Sequence, residues 1–325
     1  MALTDEGIIA VPGMGSRWVR LANGEKAHYV TIGETGPSVV LLHGGIPGSS
    51  GAAGWRYVAP LLAEAGFRVY CPDQPGFGLS DPRPEYRPVH GVYSHVNFLE
   101  RFAEALCLDE FFLAGNSMGC ANTAHYVVRY PHRVKAFVLV AGPVGDVVPF
   151  PTADRLTTPV GWDGDRETMR RMMSSIVHRK ETTTEEILDM RCRSADVHKE
   201  GWAAWQRAFL FGELPRDVAL SLSTAGRLDR LETPGICLYG RNDEILPTED
   251  LGHRVEDGLP NIQFFYPDEC GHQGQTDQPE LFAAVLTEFF GQGRVSRETA
   301  DRAGVSTRRA ELPHLVEPAR APAAV

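Results

Sequence analysis

No run of 18 or more apolar residues occurs in the chain, so no stretch is long enough to span a bilayer as a helix. The opening residues Met1 to Glu6 carry no basic cluster and no apolar stretch of the secretory kind. A cytoplasmic protein without a membrane partner is therefore expected. Cysteine is sparse: the six, at positions 71, 107, 120, 192, 237 and 270, form no Cys-x-x-Cys pair. Their scatter speaks against zinc ribbons and disulfide frameworks and predicts buried free thiols. A basic excess is missing as well, since 32 Lys and Arg stand against 42 Asp and Glu, a net charge of −10. Nucleic acid is excluded as a partner on that ground, because association would begin with like-charge repulsion. The chain also lacks a Gly-rich phosphate loop, a dinucleotide fingerprint with its acidic companion and any metal-ligand cluster. Neither cofactor nor metal is expected.

What the chain does have is 325 residues at 43% hydrophobic content, enough to bury a full core. Strand-like runs at 17–21 and 26–32 flank Asn23-Gly24, a hairpin turn signal. Continuous apolar strands follow at 38–42, 67–71, 111–114 and 136–140, with helical spacing at 55–65 and 93–107 between them. Alternation of this kind predicts an α/β fold, a mostly parallel sheet covered by helices on both faces. The rhythm stops after 142. Residues 143–225 are polar and helical, with Met169, Met172 and Met173 clustered, and read as an inserted helical lid over the strand ends. Strands return at 235–239 and 262–266, followed by a helix at 278–290. The core thus comprises 1–142 and 226–291, and 292–325, rich in Arg, Ala and Pro, reads as a flexible tail.

The organising stretch is Phe111-Phe112-Leu113-Ala114-Gly115-Asn116-Ser117-Met118-Gly119, a strand running into Gly-x-Ser-x-Gly and then a helix. Such an elbow exposes its serine above the sheet on strained backbone. Ser117 needs a base to take its proton and an acid to orient that base. His272 fits the base, because Cys270-Gly271-His272 follows the last strand at the sheet's carboxyl edge. Asp243, in Gly240-Arg241-Asn242-Asp243, fits the acid, with Asp146 as the runner-up and Asp268 too close in sequence to orient His272. The order Ser117, Asp243, His272 suits this elbow. The oxyanion donors are expected at the N–H groups of Met118 and Gly45, the latter in His43-Gly44-Gly45-Ile46-Pro47. His43 is read as structural, and His125 as packing or facing solvent.

Together HGGxPG at 43–48, DQPGFGLSD at 73–81, GNSMG at 115–119, GRND at 240–243 and CGH at 270–272 resemble the meta-cleavage-product hydrolases of the α/β-hydrolase superfamily. The resemblance covers essentially all of residues 17–291. It implies cleavage of a carbon–carbon bond in a vinylogous 1,5-diketone, made by ring fission of a catechol, to a dienoate and a carboxylic acid. Asn116 matches the family's polar residue at the dienoate end. Arg191, in a segment similar to the family's carboxylate-binding stretch, is the expected anchor, since a guanidinium suits bidentate carboxylate recognition. Gly44, Ile46 and Gln273 are expected to line the substrate pocket. The chain departs from the family at Ile46, where a third glycine is usual, at Gln273, where tryptophan is usual, and at Cys120, a common glycine. A carboxylesterase, lactonase or thioesterase with the same triad is the alternative, and a non-catalytic binding protein a remote one. The expected partner is a small molecule bearing a carboxylate, with a second copy in a homodimer as the only macromolecular candidate.

Overall fold

Strands form where β-branched and aromatic residues run between turn signals. The computed structural model describes residues 2–147, 162–208 and 214–319. In it one eight-stranded sheet contains β1 (Gly15–Arg20), β2 (Lys26–Ile32), β3 (Ser38–Leu42), β4 (Arg68–Pro72), β5 (Phe111–Asn116), β6 (Val134–Val140), β7 (Gly235–Leu238) and β8 (Gln263–Phe265). The order is β1-β2-β4-β3-β5-β6-β7-β8. β1 and β2 form an antiparallel hairpin, β2 runs antiparallel to β4, and all later pairings are parallel. At the hairpin turn Gly24 takes φ +86°, a left-handed conformation that favours glycine.

Alternate residues of the central strands face opposite layers, as a period of two requires. Val39, Leu41, Phe112 and Ala114 pack with Trp55 of α1 (Gly51–Trp55), Leu62 of α2 (Val58–Glu64) and, further along, Phe282 and Phe289. Val40, Leu42, Phe111 and Leu113 pack on the other side with Phe98 and Phe102 of α3 (Val92–Ala105) and Tyr126 of α4 (Met118–Arg129). Both sheet faces are thereby buried, the arrangement parallel strands need.

Between β6 and β7 lie α5 (Arg166–Ile176), α6 (Glu185–Val197), α7 (Lys199–Ala208) and α8 (Arg216–Leu222). Asp165 caps α5 by accepting from Thr168 N, and Met169, Met172, Met173 and Ile176 make its buried stripe at i, i+3, i+4, i+7. Thr184 caps α6 in the same way through Ile187 N. Of the region expected to form a lid, 148–161 and 209–213 lie outside the described residues. The chain then continues through α9 (His253–Gly258), α10 (Gly274–Asp277), α11 (Pro279–Gln292) and α12 (Arg297–Arg302). Among the described residues no helix is long and apolar enough to cross a membrane.

The stretch expected to be a flexible tail is a correction. Its residues 304–306 lie along the sheet's last edge. Ser306 N donates to Phe264 O (2.9 Å), Tyr266 N to Gly304 O (2.8 Å), and Val305 bridges Phe265 antiparallel. The Arg309 guanidinium donates to the carbonyls of Glu256 and Leu259 at 2.9 Å and to that of Ile262. Val295, Leu315 and Val316 are fully buried. An edge strand offers unpaired backbone groups, and satisfying them requires main chain rather than a hydrophobic period. The segment therefore gives no periodic signal in its sequence. Residues 320–325 lie outside the described residues.

Candidate active site

The turn from β5 into α4 puts Ser117 at φ 57° and ψ −114°, a conformation that L residues rarely hold. Its surroundings allow nothing else. A Cβ on Gly115 would lie 2.1 Å from Gly119 O, and one on Gly119 would lie 2.4 Å from Leu42 O. Ser117 N donates to Val140 O (2.9 Å), which ties the apex to the neighbouring strand.

The structure brings Asp243 and His272 together: His272 Nδ1 and Asp243 Oδ2 are 2.8 Å apart, with both residues buried. Asp243 Oδ1 accepts from the amides of Ile245 (2.9 Å) and Leu246 (2.8 Å), so the carboxylate cannot swing away. A carboxylate oxygen only accepts, so the neutral imidazole carries its proton on Nδ1 and turns a bare Nε2 to the cavity. The two loops brace each other, with Asn242 N donating to Cys270 O at 2.8 Å. Asp146, the alternative acid, is committed elsewhere. Its carboxylate accepts from Ser223, Thr224 and Ala225, which holds it well below the usual carboxylate range. Asp268 is exposed and pairs with Arg241.

The 43–48 loop rests on a polar floor. His43 Nδ1 donates to Gly44 O (2.7 Å) while its Nε2 accepts from Gln74 N (3.0 Å). Burial pushes His43 down to about 4, so the ring stays neutral and the tautomer is set by these two bonds. Gln74 adds Nε2 to His43 O (2.8 Å), and Asn122 Nδ2 holds Gln74 Oε1 (2.6 Å). Trp202 of α7 donates its indole N–H to Gly45 O (3.0 Å). With the Gly44 and Gly45 carbonyls tied back, the Gly45 N–H takes no protein acceptor among the described residues, and neither does the Met118 N–H. The two residues are in contact, since a Cβ on Gly45 would lie 2.9 Å from Met118 Cβ. His125 is buried and bonds Leu222 O (2.6 Å), a packing role.

One cavity is lined by Gly44, Gly45, Ile46, Asn116, Ser117, Arg191, His272 and Gln273. Asn116 Nδ2 donates to His272 O (2.9 Å) and Val140 O (3.3 Å), which uses both amide hydrogens and leaves Oδ1 as an acceptor beside Gly44. Arg191 is only 2% exposed, yet among the described residues its side chain makes one hydrogen bond, Nη1 to Ser49 Oγ (3.2 Å), and its Nε has no partner. Burial, with Arg56 second, pulls this guanidinium down to about 9, and it remains a cation at neutral pH. Among the described residues no carboxylate pairs with it. A second arginine, Arg56, is buried nearby and bonds the carbonyls of Ala53 and Thr182 (3.2 Å to the latter). Sequence reasoning missed Ser49, Trp202 and Asp277. Asp277 accepts from Gly271 N (2.8 Å), His178 N (3.0 Å) and Arg179 N (2.9 Å), linking the loop before His272 to the α5–α6 connection. None of the three carries a motif in the sequence.

A sequence model of the alpha/beta hydrolase fold matches residues 37–171. A 2-hydroxy-6-oxononadienedioate/2-hydroxy-6-oxononatrienedioate hydrolase of Paraburkholderia phymatum is 30% identical over 286 residues, covering 85% of this chain and 96% of that protein. The chain belongs to the meta-cleavage-product hydrolases of the α/β-hydrolase fold. Another hydrolase similar to it, 2-hydroxy-6-oxo-2,4-heptadienoate hydrolase of Pseudomonas putida, is 32% identical over 83% of this chain and 94% of its own length. Among solved structures, 2-hydroxy-6-oxo-6-phenylhexa-2,4-dienoate hydrolase of a Rhodococcus species superposes with a TM-score of 0.71 at 26% identity. That match covers 86% of this chain and 99% of the other. An epoxide hydrolase at 21% identity and a TM-score of 0.67 shares the fold alone.

Proposed function

We propose that this meta-cleavage-product hydrolase cleaves a carbon–carbon bond in a carboxylate-bearing vinylogous 1,5-diketone from aromatic ring fission. The observation that carries this reading is Arg191, a buried cation that no carboxylate among the described residues pairs, in the same cavity as Ser117 and His272. Burying a charge costs several kcal/mol unless it is paired, and a substrate carboxylate supplies the missing partner. Six cysteines with no disulfide agree with action in a reducing cytoplasm.

In this reading Arg191 binds the substrate carboxylate and Asn116 Oδ1 accepts from the enol hydroxyl. His272 Nε2 moves the enol proton to carbon, generating the keto form. Ser117 Oγ then bonds the remote carbonyl carbon as its own proton passes to His272, and the N–H groups of Gly45 and Met118 meet the oxyanion. Collapse breaks the carbon–carbon bond. The electron pair leaves with the dienoate fragment, which takes up the proton held by His272, and the acyl group stays on Ser117. Water, deprotonated by His272, releases the carboxylic acid, so one water is consumed for each pair of products.

The test is a panel of synthetic ring-fission products beside simple aryl esters, assayed with wild type and Ser117→Ala. Loss of the dienolate chromophore with wild type, and at least about a thousandfold less with Ser117→Ala, is expected. Fast ester turnover with an unchanged chromophore would replace the reading by plain ester hydrolysis.

A further inference from the structure

The loop expected to supply the Gly45 N–H is held at both ends by two consecutive residues. Asp73 and Gln74 follow β4 directly, and both are buried. Asp73 Oδ1 accepts from Gly51 N (2.7 Å) at the far end of the 43–50 segment. Its Oδ2 faces His28 Nδ1 (2.8 Å) and accepts from Leu79 N (2.7 Å). Gln74 closes the near end: its N–H donates to His43 Nε2 (3.0 Å) and its Nε2 to His43 O (2.8 Å). The Gly44-Gly45 pair between these ends has no stiffness of its own, so the loop's shape is imposed from outside.

The Gln74 side chain also reaches a third element. Its Oε1 accepts from Asn122 Nδ2 at 2.6 Å, and Asn122 is buried in α4, the helix that opens with Met118. The backbone of that helix presses on the same carbonyl, because a Cβ on Gly119 would lie 2.8 Å from His43 O. One carboxamide therefore joins the residue before Gly44-Gly45 to the helix whose first N–H is the other expected oxyanion donor. Those two donors sit on separate elements, and the covalent chain does not fix their spacing. We infer that Gln74 is a positioning residue that, with Asn122, sets the spacing between the Gly45 and Met118 N–H groups. The inference rests on the oxyanion site of the mechanism proposed above and assigns what keeps that site in shape before substrate arrives. Such a site works through donors fixed in advance, and a displacement of about 1 Å can cost roughly 100-fold in rate.

The experiment measures inhibition by two probes beside turnover of a ring-fission product. Phenylboronic acid forms a B–O bond with Ser117 Oγ as the serine proton passes to His272, and the tetrahedral anion places an oxygen between the two N–H groups. Hexa-2,4-dienoate carries a carboxylate for Arg191 and no such oxygen. Gln74→Met keeps the length of the side chain and removes its hydrogen bonds. It is expected to weaken phenylboronic acid about 10- to 100-fold and to lower kcat by a similar factor, with hexa-2,4-dienoate affinity and KM within about threefold of wild type. Asn122→Leu should act in the same direction, and the double variant should lose no more than about threefold beyond the more affected single variant. Retained hexa-2,4-dienoate affinity shows that a variant is folded; if Gln74→Met does not fold, Asn122→Leu alone carries the same expectation. Equal weakening of both probes, no change in either, or single effects that multiply in the double variant overturn the inference while leaving the reaction in place. Phenylboronic acid that binds wild type and Ser117→Ala alike would instead remove the proposed oxyanion site, and this inference with it.

Discussion

Asp277 joins two parts of the molecule that the sequence keeps about a hundred residues apart. Its carboxylate takes one N–H from Gly271, immediately before the proposed base, and two from His178 and Arg179, between α5 and α6. The same contact is reinforced by Gln273 N on Ile176 O and by Arg179 Nη1 on Asp277 O (3.3 Å). Hydrogen bonds to a charged acceptor are each worth about 1.5–3 kcal/mol. Gly271 is buried, so its amide would lose its partner outright, whereas His178 and Arg179 are exposed and water can reach their amides. One bond at about 2 kcal/mol and two at about 1 give a loss near 4 kcal/mol for Asp277→Ala. Asp277→Asn retains one acceptor but turns its own N–H groups toward the donors, and should recover at most about 1 kcal/mol of that loss. Urea unfolding followed by circular dichroism measures the global part, and amide exchange at 178, 179 and 271 measures the local opening. Faster exchange at all three amides with a lowered kcat is expected. An Asp277→Ala protein within about 0.5 kcal/mol of wild type, with unchanged exchange at Gly271, would refute the argument.

Three further outcomes follow from groups already described. Arg191→Met should raise KM for carboxylate-bearing substrates about 100-fold and leave neutral aryl esters within a few-fold. The same change should stabilise the free protein by about 1–3 kcal/mol in urea, because it removes an unpaired buried cation. Equal KM effects on both substrate types would deny Arg191 its role. Asn116→Ala removes the bonds to His272 O and Val140 O, so kcat should fall about 10- to 30-fold, with a smaller change in KM; a KM-only effect would show that Asn116 does not hold the base. Burial pushes the Glu25 carboxyl up from 4.5 to about 7, so the native state keeps a proton that the unfolded chain releases. Stability is therefore lost as pH rises from 4.5 to 7, and Glu25→Gln should gain up to about 3 kcal/mol on wild type across that window. Parallel stability curves for the two proteins would contradict the shift.

The proposed triad of Ser117, Asp243 and His272 is legible in the sequence because each lies in the loop that follows a parallel strand, and such loops converge at one edge of the sheet. The glycines of the elbow announce themselves through backbone that tolerates no Cβ. Arg191 is legible as a residue but not as an environment: nothing in its local sequence tells that it is 2% exposed or that its guanidinium leans on Ser49. Trp202 and Asp277 are silent for a related reason, since their partners lie far away in sequence and only the packed chain brings them together. The misread tail is the reverse case. Its contacts are made by main chain and by arginines reaching carbonyls, and composition alone describes such a segment as polar and irregular.

That packed segment also bears on how the protein behaves in a crowded solution. An open parallel sheet ends in a strand whose free amides and carbonyls will template any other extended chain, including a half-folded sibling. At the β1 end, the outermost strand carries Arg17 and Arg20, and charges of one sign discourage stacking. At the β8 end, the chain supplies its own last layer through Gly304, Val305 and Ser306. Residues 304–306 thus cover backbone that β8 would otherwise leave open at this edge. Continuation of the sheet at the β8 end is thereby obstructed by the chain's own backbone.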